Sequence, residues 1–187
     1  MKEAAMYRRL WLFIMVNAIL YLSSTGFTEK YAKLLSKRLN LPAYSMKTTI
    51  PLDTDSEIIY LGWLKAGFVS GYKKAAKQYK IRAVLGVGMG ENGSQLDNIR
   101  KVNQIPDEIS VFSAQGGYAP ERLKGLWRFI LNMKFKSDIK RYEQIPNRTA
   151  DEDAVLDMMK NGGDYVSEDG LTPLIDWYKS TVSDTNA

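Results

Sequence analysis

Neither cysteine nor histidine occurs anywhere in the 187 residues. Without cysteine there is no disulfide framework, no thiolate nucleophile and no iron–sulfur ligation. Without histidine there is no His-containing triad and no His ligand for zinc, haem or non-haem iron. The two zeros together remove the commonest nucleophiles, general bases and metal ligands. Any redox chemistry would therefore fall to an organic cofactor. A long hydrophobic run is missing too. The most apolar stretch, Leu10 to Leu22, is thirteen residues, against the ~20 of a spanning helix.

Acidic residues are in modest deficit, 21 against 26 basic, for a formal charge of +5. That balance fits an anionic partner or simple solubility. Nucleic acid is not an expected partner, because no recognised module appears and the basic residues are not gathered around stacking aromatics. The length fits one domain able to bury roughly two-thirds of its unfolded surface.

Arg8 and Arg9 ahead of the apolar stretch imitate a signal peptide, but the stretch runs straight into a Ser/Thr/Gly loop that cleavage would damage. Asn17 to Leu22 reads instead as a buried first strand, leaving residues 1–16 as an appendage and the protein as cytoplasmic. One hypothesis is that translation starts at Met15 or Val16, with Arg8-Arg9 a ribosome-binding AGGAGG read as protein. Intact mass of the protein made from its own gene tests this, and a chain beginning at Met1 would refute it.

Downstream, short apolar runs alternate with amphipathic segments, the pattern of a parallel sheet covered on both faces. Five parallel strands are expected near Asn17 to Leu22, Ala43 to Met46, Glu57 to Gly62, Arg82 to Gly88 and Glu108 to Ala114. Helices are expected over Thr28 to Leu39, Ser70 to Tyr79, Ser94 to Asn103 and Pro120 to Phe135. Residues 47–56 are too short and too rich in Thr and Pro for a full crossover helix. The sheet domain spans 17–145, and 146–187 is a helical extension packed on it, with Pro146 to Asp153 as a loop and helices over Asp151 to Lys160 and Leu171 to Ser180.

In such a sheet ligands bind beyond the carboxyl ends of the strands, so four loops carry the chemistry. The first is Ser23-Ser24-Thr25-Gly26-Phe27-Thr28. It offers hydroxyls, a glycine for a tight turn and a helix N-terminus, the parts that hold a phosphate. Its plainer use is for Ser24, Thr25 or Thr28 to cap the helix. The second is Trp63-Leu64-Lys65-Ala66-Gly67, where Trp63 is a flat apolar partner or a core filler. The third, Gly88-Met89-Gly90-Glu91-Asn92-Gly93, spells G-x-G-x-x-G. It follows the wrong strand for a dinucleotide fingerprint, and no acidic residue closes the next strand. The fourth is Gln115-Gly116-Gly117-Tyr118.

At Ser23, Thr25, Gly26 and Thr28, followed by Glu29, Lys30, Tyr31 and Ala32, the chain resembles the flavodoxin family, over about residues 17–136. Its Gly116-Gly117-Tyr118 turn and the basic segment Leu123 to Lys136 are similar to the branch that includes menaquinone-dependent protoporphyrinogen dehydrogenases. The resemblance implies a doubly wound, flavodoxin-like sheet of order 2-1-3-4-5 that binds flavin mononucleotide (FMN). Ser23, Ser24, Thr25, Gly26, Phe27 and Thr28 would hold the phosphate, Trp63, Leu64, Lys65 and Ala66 one side of the ring, and Gly88, Met89, Gly90, Gly93 and Gly116 its edge. Gly67 would supply a flexible peptide near flavin N5, and Tyr118 would cover the second face in place of the family's stacking tyrosine. The implied function is electron or hydride transfer at N5 by an electron-transfer flavoprotein or FMN oxidoreductase, with no catalytic side chain and no metal. A quinone or tetrapyrrole is the implied substrate. The basic balance departs from the acidic flavodoxin shuttles. The rival expectation is a non-redox module that binds a phosphate ligand or a protein.

Pro120 to Phe135 interleaves Leu123, Leu126, Trp127, Ile130 and Met133 with Arg122, Lys124, Arg128, Lys134 and Lys136. The expectation is that these apolar residues face the core, with peripheral contact to an anionic membrane as the less favoured alternative.

Overall fold

The computed structural model describes residues 16–123 and 125–183. Most of the expected appendage and Lys124 therefore lie outside the described residues. Val16 is described, and its side chain is buried in the core.

Five parallel strands form the sheet: β1 (Ala18–Leu22), β2 (Ala43–Ser45), β3 (Glu57–Lys65), β5 (Lys80–Gly88) and β6 (Ser110–Gln115). The short β4 (Phe68–Val69) folds back antiparallel on β3. The order is β2-β1-β3-β5-β6, so a parallel α/β fold is present as expected. Gly62 of β3 pairs with Leu22 and Gly86, while Gly88 pairs with Gln115, so the carboxyl ends of β1, β3, β5 and β6 finish at one edge.

The strands are apolar runs because both faces are covered. On one face Ile19, Ile59, Leu61 and Leu85 pack against Phe27, Tyr31 and Leu35 of α1 (Phe27–Leu39). Leu171 and Leu174, the latter in α6 (Thr172–Ser183), close the same face. On the other face Leu20, Ile58, Tyr60 and Val84 pack against Tyr72 and Ala75 of α2 (Tyr72–Ala75) and Ile99 of α3 (Leu96–Asn103). A separate cluster joins Phe135 of α4 (Gly125–Glu143) to Leu156, Met158 and Met159 of α5 (Ala150–Asn161), with Tyr118 between them. Tyr118 belongs to β7 (Gly117–Tyr118), which pairs antiparallel with β8 (Gly163–Asp164).

Several boundaries differ from expectation. β3 runs on through Trp63, which pairs with Val87 of β5, and through Leu64 and Lys65, where β4 extends the ladder past the parallel sheet. The helix expected over 70–79 shrinks to the four residues of α2, and the Gln78 and Tyr79 N–H groups both turn back on the Ala75 carbonyl before β5 starts at Lys80. Pro120–Arg122 is a separate 3₁₀ turn ahead of α4. The loop expected up to Asp153 stops at Thr149, whose hydroxyl accepts the Glu152 N–H at 3.2 Å while the Glu152 carboxylate accepts the Thr149 N–H at 2.8 Å. This capping box starts α5. Among the described residues no helix is long and apolar enough to cross a membrane.

Candidate functional site

The first loop leaves β1 at Leu22 and enters α1 at Phe27. Gly26 is the N-cap residue, at φ 103°, and its N–H donates to the Ser23 hydroxyl at 3.1 Å. That turn buries Ser23 inside the loop. No side chain caps α1, which sets aside the capping role weighed for Ser24, Thr25 and Thr28. A helix start without a side-chain cap leaves its first N–H groups for water or an anion. Arg122 lies over the same turn and donates to the Thr25 carbonyl at 3.3 Å.

β3 and β4 meet in a two-residue turn in which Ala66 (φ 49°) and Gly67 (φ 83°) both adopt left-handed backbone. Two positive φ values are what a tight hairpin of this hand requires. The buried Asn103 pins this turn. Its amide donates to the Gly67 carbonyl at 2.9 Å and to the Ile99 carbonyl at 2.8 Å, and its oxygen accepts the Val69 N–H at 2.9 Å. The Gly67 carbonyl is thereby tied to α3. Leu64 lies over Gly86 and Gly88, where a Cβ would sit 2.8 and 3.0 Å from its methyl carbons. The missing side chains on β5 make room for it.

The third and fourth loops are tied to each other. Gly116 donates to the Gly88 carbonyl at 2.7 Å, and Gly93 to the Ser113 carbonyl at 2.9 Å. The Asn92 side chain accepts the Gln115 N–H at 2.8 Å. Tyr118 packs edge-on against Phe135, with ring centroids 4.7 Å apart at 73°. Its hydroxyl lies 3.3 Å from the Asn132 side-chain oxygen, and burial pushes its pKa up. Tyr118 thus lines the cavity with its ring held against Phe135.

The four loops converge on a cavity of about 520 Å³ at the shared strand edge. Ser24, Thr25, Phe27 and Thr28 line it from the first loop, and Trp63, Leu64, Lys65, Ala66 and Gly67 from the hairpin. Gly88, Met89, Gly90, Gly116 and Tyr118 line it from the remaining loops. Ser23, Gly26 and Gly93 do not line it. They shape the turns beneath. Sequence reasoning missed the far wall, formed by Ile130, Leu131, Lys134 and Phe135 of α4, and the polar groups of Glu91, Ser94, Gln95 and Ser113. The amphipathic pattern of α4 was the available signal for that wall, but it could not say which residues face inward.

Beside the first loop, a smaller cavity of about 150 Å³ lies among Phe27, Arg122 and Asp164. Burial alone would raise the Asp164 carboxyl. Hydrogen bonds from Lys30 and the Val166 N–H, with the charges of Lys30 and Arg122, outweigh it and hold the group below the usual carboxylate range.

No family model and no curated protein matches the chain. Among solved structures it is similar to an adenine phosphoribosyltransferase at 12% identity and a TM-score of 0.38, over 59% of this chain and 74% of that one. It is also similar to the orotate phosphoribosyltransferase from Aeropyrum pernix at 15% identity and a TM-score of 0.32, over 60% and 71%. Likeness at these scores assigns this chain no activity.

The comparisons do correct the resemblance read from the first loop. No flavodoxin model matches, and the solved structures named are phosphoribosyltransferases. Membership of the flavodoxin family, and with it FMN-dependent electron or hydride transfer by an oxidoreductase, is withdrawn. The physical reason is that a six-residue hydroxyl and glycine turn is a local solution to holding an anion at a helix start, open to many families.

Proposed function

We propose that the protein is a binding module for a small molecule that joins a phosphate to a flat or aliphatic body. The observation that carries this is the start of α1, which has no side-chain cap and opens with the hydroxyls of Ser24, Thr25 and Thr28 onto a cavity of about 520 Å³. The helix dipole, the hydroxyl donors and the Arg122 guanidinium over Thr25 all favour negative charge at one end. Trp63, Leu64, Met89 and Ile130 provide the apolar surface that would take the body. Gly26 serves the turn and Lys65 and Lys134 add cationic character to the walls.

The finer fold assignment belongs to the same proposal. With the two-residue β4 set aside, the strand order becomes 2-1-3-4-5 and the sheet is doubly wound. Its path reverses between β1 and β3, and a ligand crevice is expected at that switch point. A cytoplasmic location is the accompanying expectation.

Calorimetry with pairs of ligands tests this, each an aryl or nucleoside monophosphate set against its unphosphorylated counterpart. The phosphorylated member should bind at least about tenfold tighter, as expected for one to two charge-assisted hydrogen bonds. Thr25→Ala and Arg122→Ala should each narrow that gap while the melting temperature of the unliganded protein stays put. Equal affinity for both members of every pair would defeat the phosphate assignment. Flavin retained through purification would overturn the non-redox reading.

A further inference from the structure

Six large apolar side chains are exposed among the described residues, and four of them stand on α4: Leu126 at 70%, Phe129 at 62%, Met133 at 58% and Ile130 at 40%. Their spacing of i, i+3, i+4 and i+7 sets them in one stripe. This reverses the expected packing, in which Leu126, Ile130 and Met133 faced the core. α4 instead buries Phe135 and partly buries Leu131, Ile139 and Tyr142 against α5. By helical spacing the exposed stripe is bordered by Lys136 and Lys140 on one side and by Lys134 and Arg141 on the other. Lys134 and Arg141 are paired with Asp138, at 2.8 and 3.5 Å. Lys136 and Lys140 are exposed and make no ion pair among the described residues.

We propose that this face of α4 docks on the surface of an anionic lipid bilayer, with the apolar stripe in the headgroup boundary and the lysines against lipid phosphates. The stripe and its border share Ile130 and Lys134 with the cavity wall, whereas Phe129, Met133, Lys136 and Lys140 do not line the cavity and test the docking face separately from the phosphate-ligand reading. A stripe of large apolar side chains rimmed by cations is the pattern that lies in a membrane interface, where apolar burial and attraction to anionic headgroups add. A second copy of the chain is a poorer occupant, because a self-complementary contact through this face would set the same unpaired lysines near one another. The net charge of +5 works in the same direction, drawing the protein to an anionic surface and setting copies apart.

Co-sedimentation with vesicles tests it, using phosphatidylcholine alone and phosphatidylcholine with about 30 mol % phosphatidylglycerol. The full chain should pellet with the anionic vesicles at low salt, stay in solution with the neutral ones, and be released as salt rises. Lys136→Glu with Lys140→Glu should weaken binding by about fivefold or more per lysine. Phe129→Ser with Met133→Ser should weaken it at every salt concentration, since the apolar part is not screened. Circular dichroism of both variants checks that each is folded. A wild-type protein that remains in solution with anionic vesicles at low salt overturns the proposal. So does concentration-dependent dimerisation abolished by the same variants, seen by analytical ultracentrifugation without vesicle binding.

Discussion

The sheet and α4 are both rich in large apolar side chains, yet they dispose of them in opposite ways. Ile19, Leu20, Ile59, Tyr60, Leu61 and Leu85 are fully enclosed, covered by helices from both faces. Among the described side chains of α4 only Phe135 is buried, while Leu126 and Phe129 stand mostly in water. In the sheet the apolar composition is a condition of folding. In the first half of α4 it exceeds what the small cluster around Phe135 and Leu156 can take up. Apolar side chains that folding does not use must be explained by something the helix meets.

Substitutions break or sharpen this contrast on a graded scale. Leu85→Ala in β5 should have the largest effect, about 2–5 kcal/mol of stability, because the side chain is fully buried and a parallel sheet has little room to close a cavity. The urea midpoint measures it, and a loss under about 1 kcal/mol would show a far looser sheet core than the burial implies. Asn103→Ala comes next, at about 2–3 kcal/mol, since it leaves the Val69 N–H and the Gly67 carbonyl without their buried partner. Hydrogen exchange at the Val69 amide should accelerate with it, and unchanged exchange would mean that the hairpin does not depend on this anchor.

Much of this molecule is visible in its residues. The apolar runs of β1, β3 and β5 and the face of α1 announce a layered sheet, because burial on both faces leaves a near-continuous apolar run in the middle of each strand. The loops that meet at the cavity are also legible, since their glycines and hydroxyls follow strand ends. Other features depend on contacts that local pattern does not encode. Leu64 and Lys65 extend β3 past its parallel pairing because Val69 and Phe68 return to pair with them. The ring of Tyr118 is fixed by Phe135, seventeen residues on, at the cavity wall. On α4 two stripes compete, Leu126, Phe129, Ile130 and Met133 against Leu131, Phe135 and Ile139, and periodicity alone does not choose between them. The family resemblance failed for a similar reason, because a short motif reports what a turn can hold and not which lineage made it.

Smaller effects probe the edges of the contrast. Thr149→Ala removes the capping box of α5 and should cost about 1 kcal/mol, felt in the α4 and α5 cluster and not in the sheet. Hydrogen exchange of the α5 amides against that of the sheet amides separates the two, and equal losses in both would show them melting as one unit. Asp164→Asn should cost only a few tenths of a kcal/mol near neutral pH, because its pair with Lys30 is partly exposed and solvent screens it. The folded carboxyl sits below its ordinary value, so the stabilisation is present above the unfolded pKa of about 3.9 and is lost as pH falls through the lower folded value. The difference between wild type and variant should therefore shrink as the solution is acidified below that point, and a gap that widens in acid would reverse the assignment.

The least effect on stability is expected where the apolar side chains are most exposed. Leu126→Ser with Phe129→Ser removes two large side chains that are 70% and 62% exposed. In the sheet such a pair of changes would unfold the protein. On α4 it should shift stability by no more than about 0.5 kcal/mol, the range of surface substitutions away from special features. Serine is also a slightly poorer helix former than leucine, so a small loss is expected even with no packing lost. Solubility should move the other way, because removing exposed apolar area lowers the tendency to self-associate. The urea midpoint and the concentration at which light scattering rises give the two readouts from one sample. A loss of several kcal/mol would mean that the stripe is packed in the folded protein, and the contrast with the sheet would then disappear.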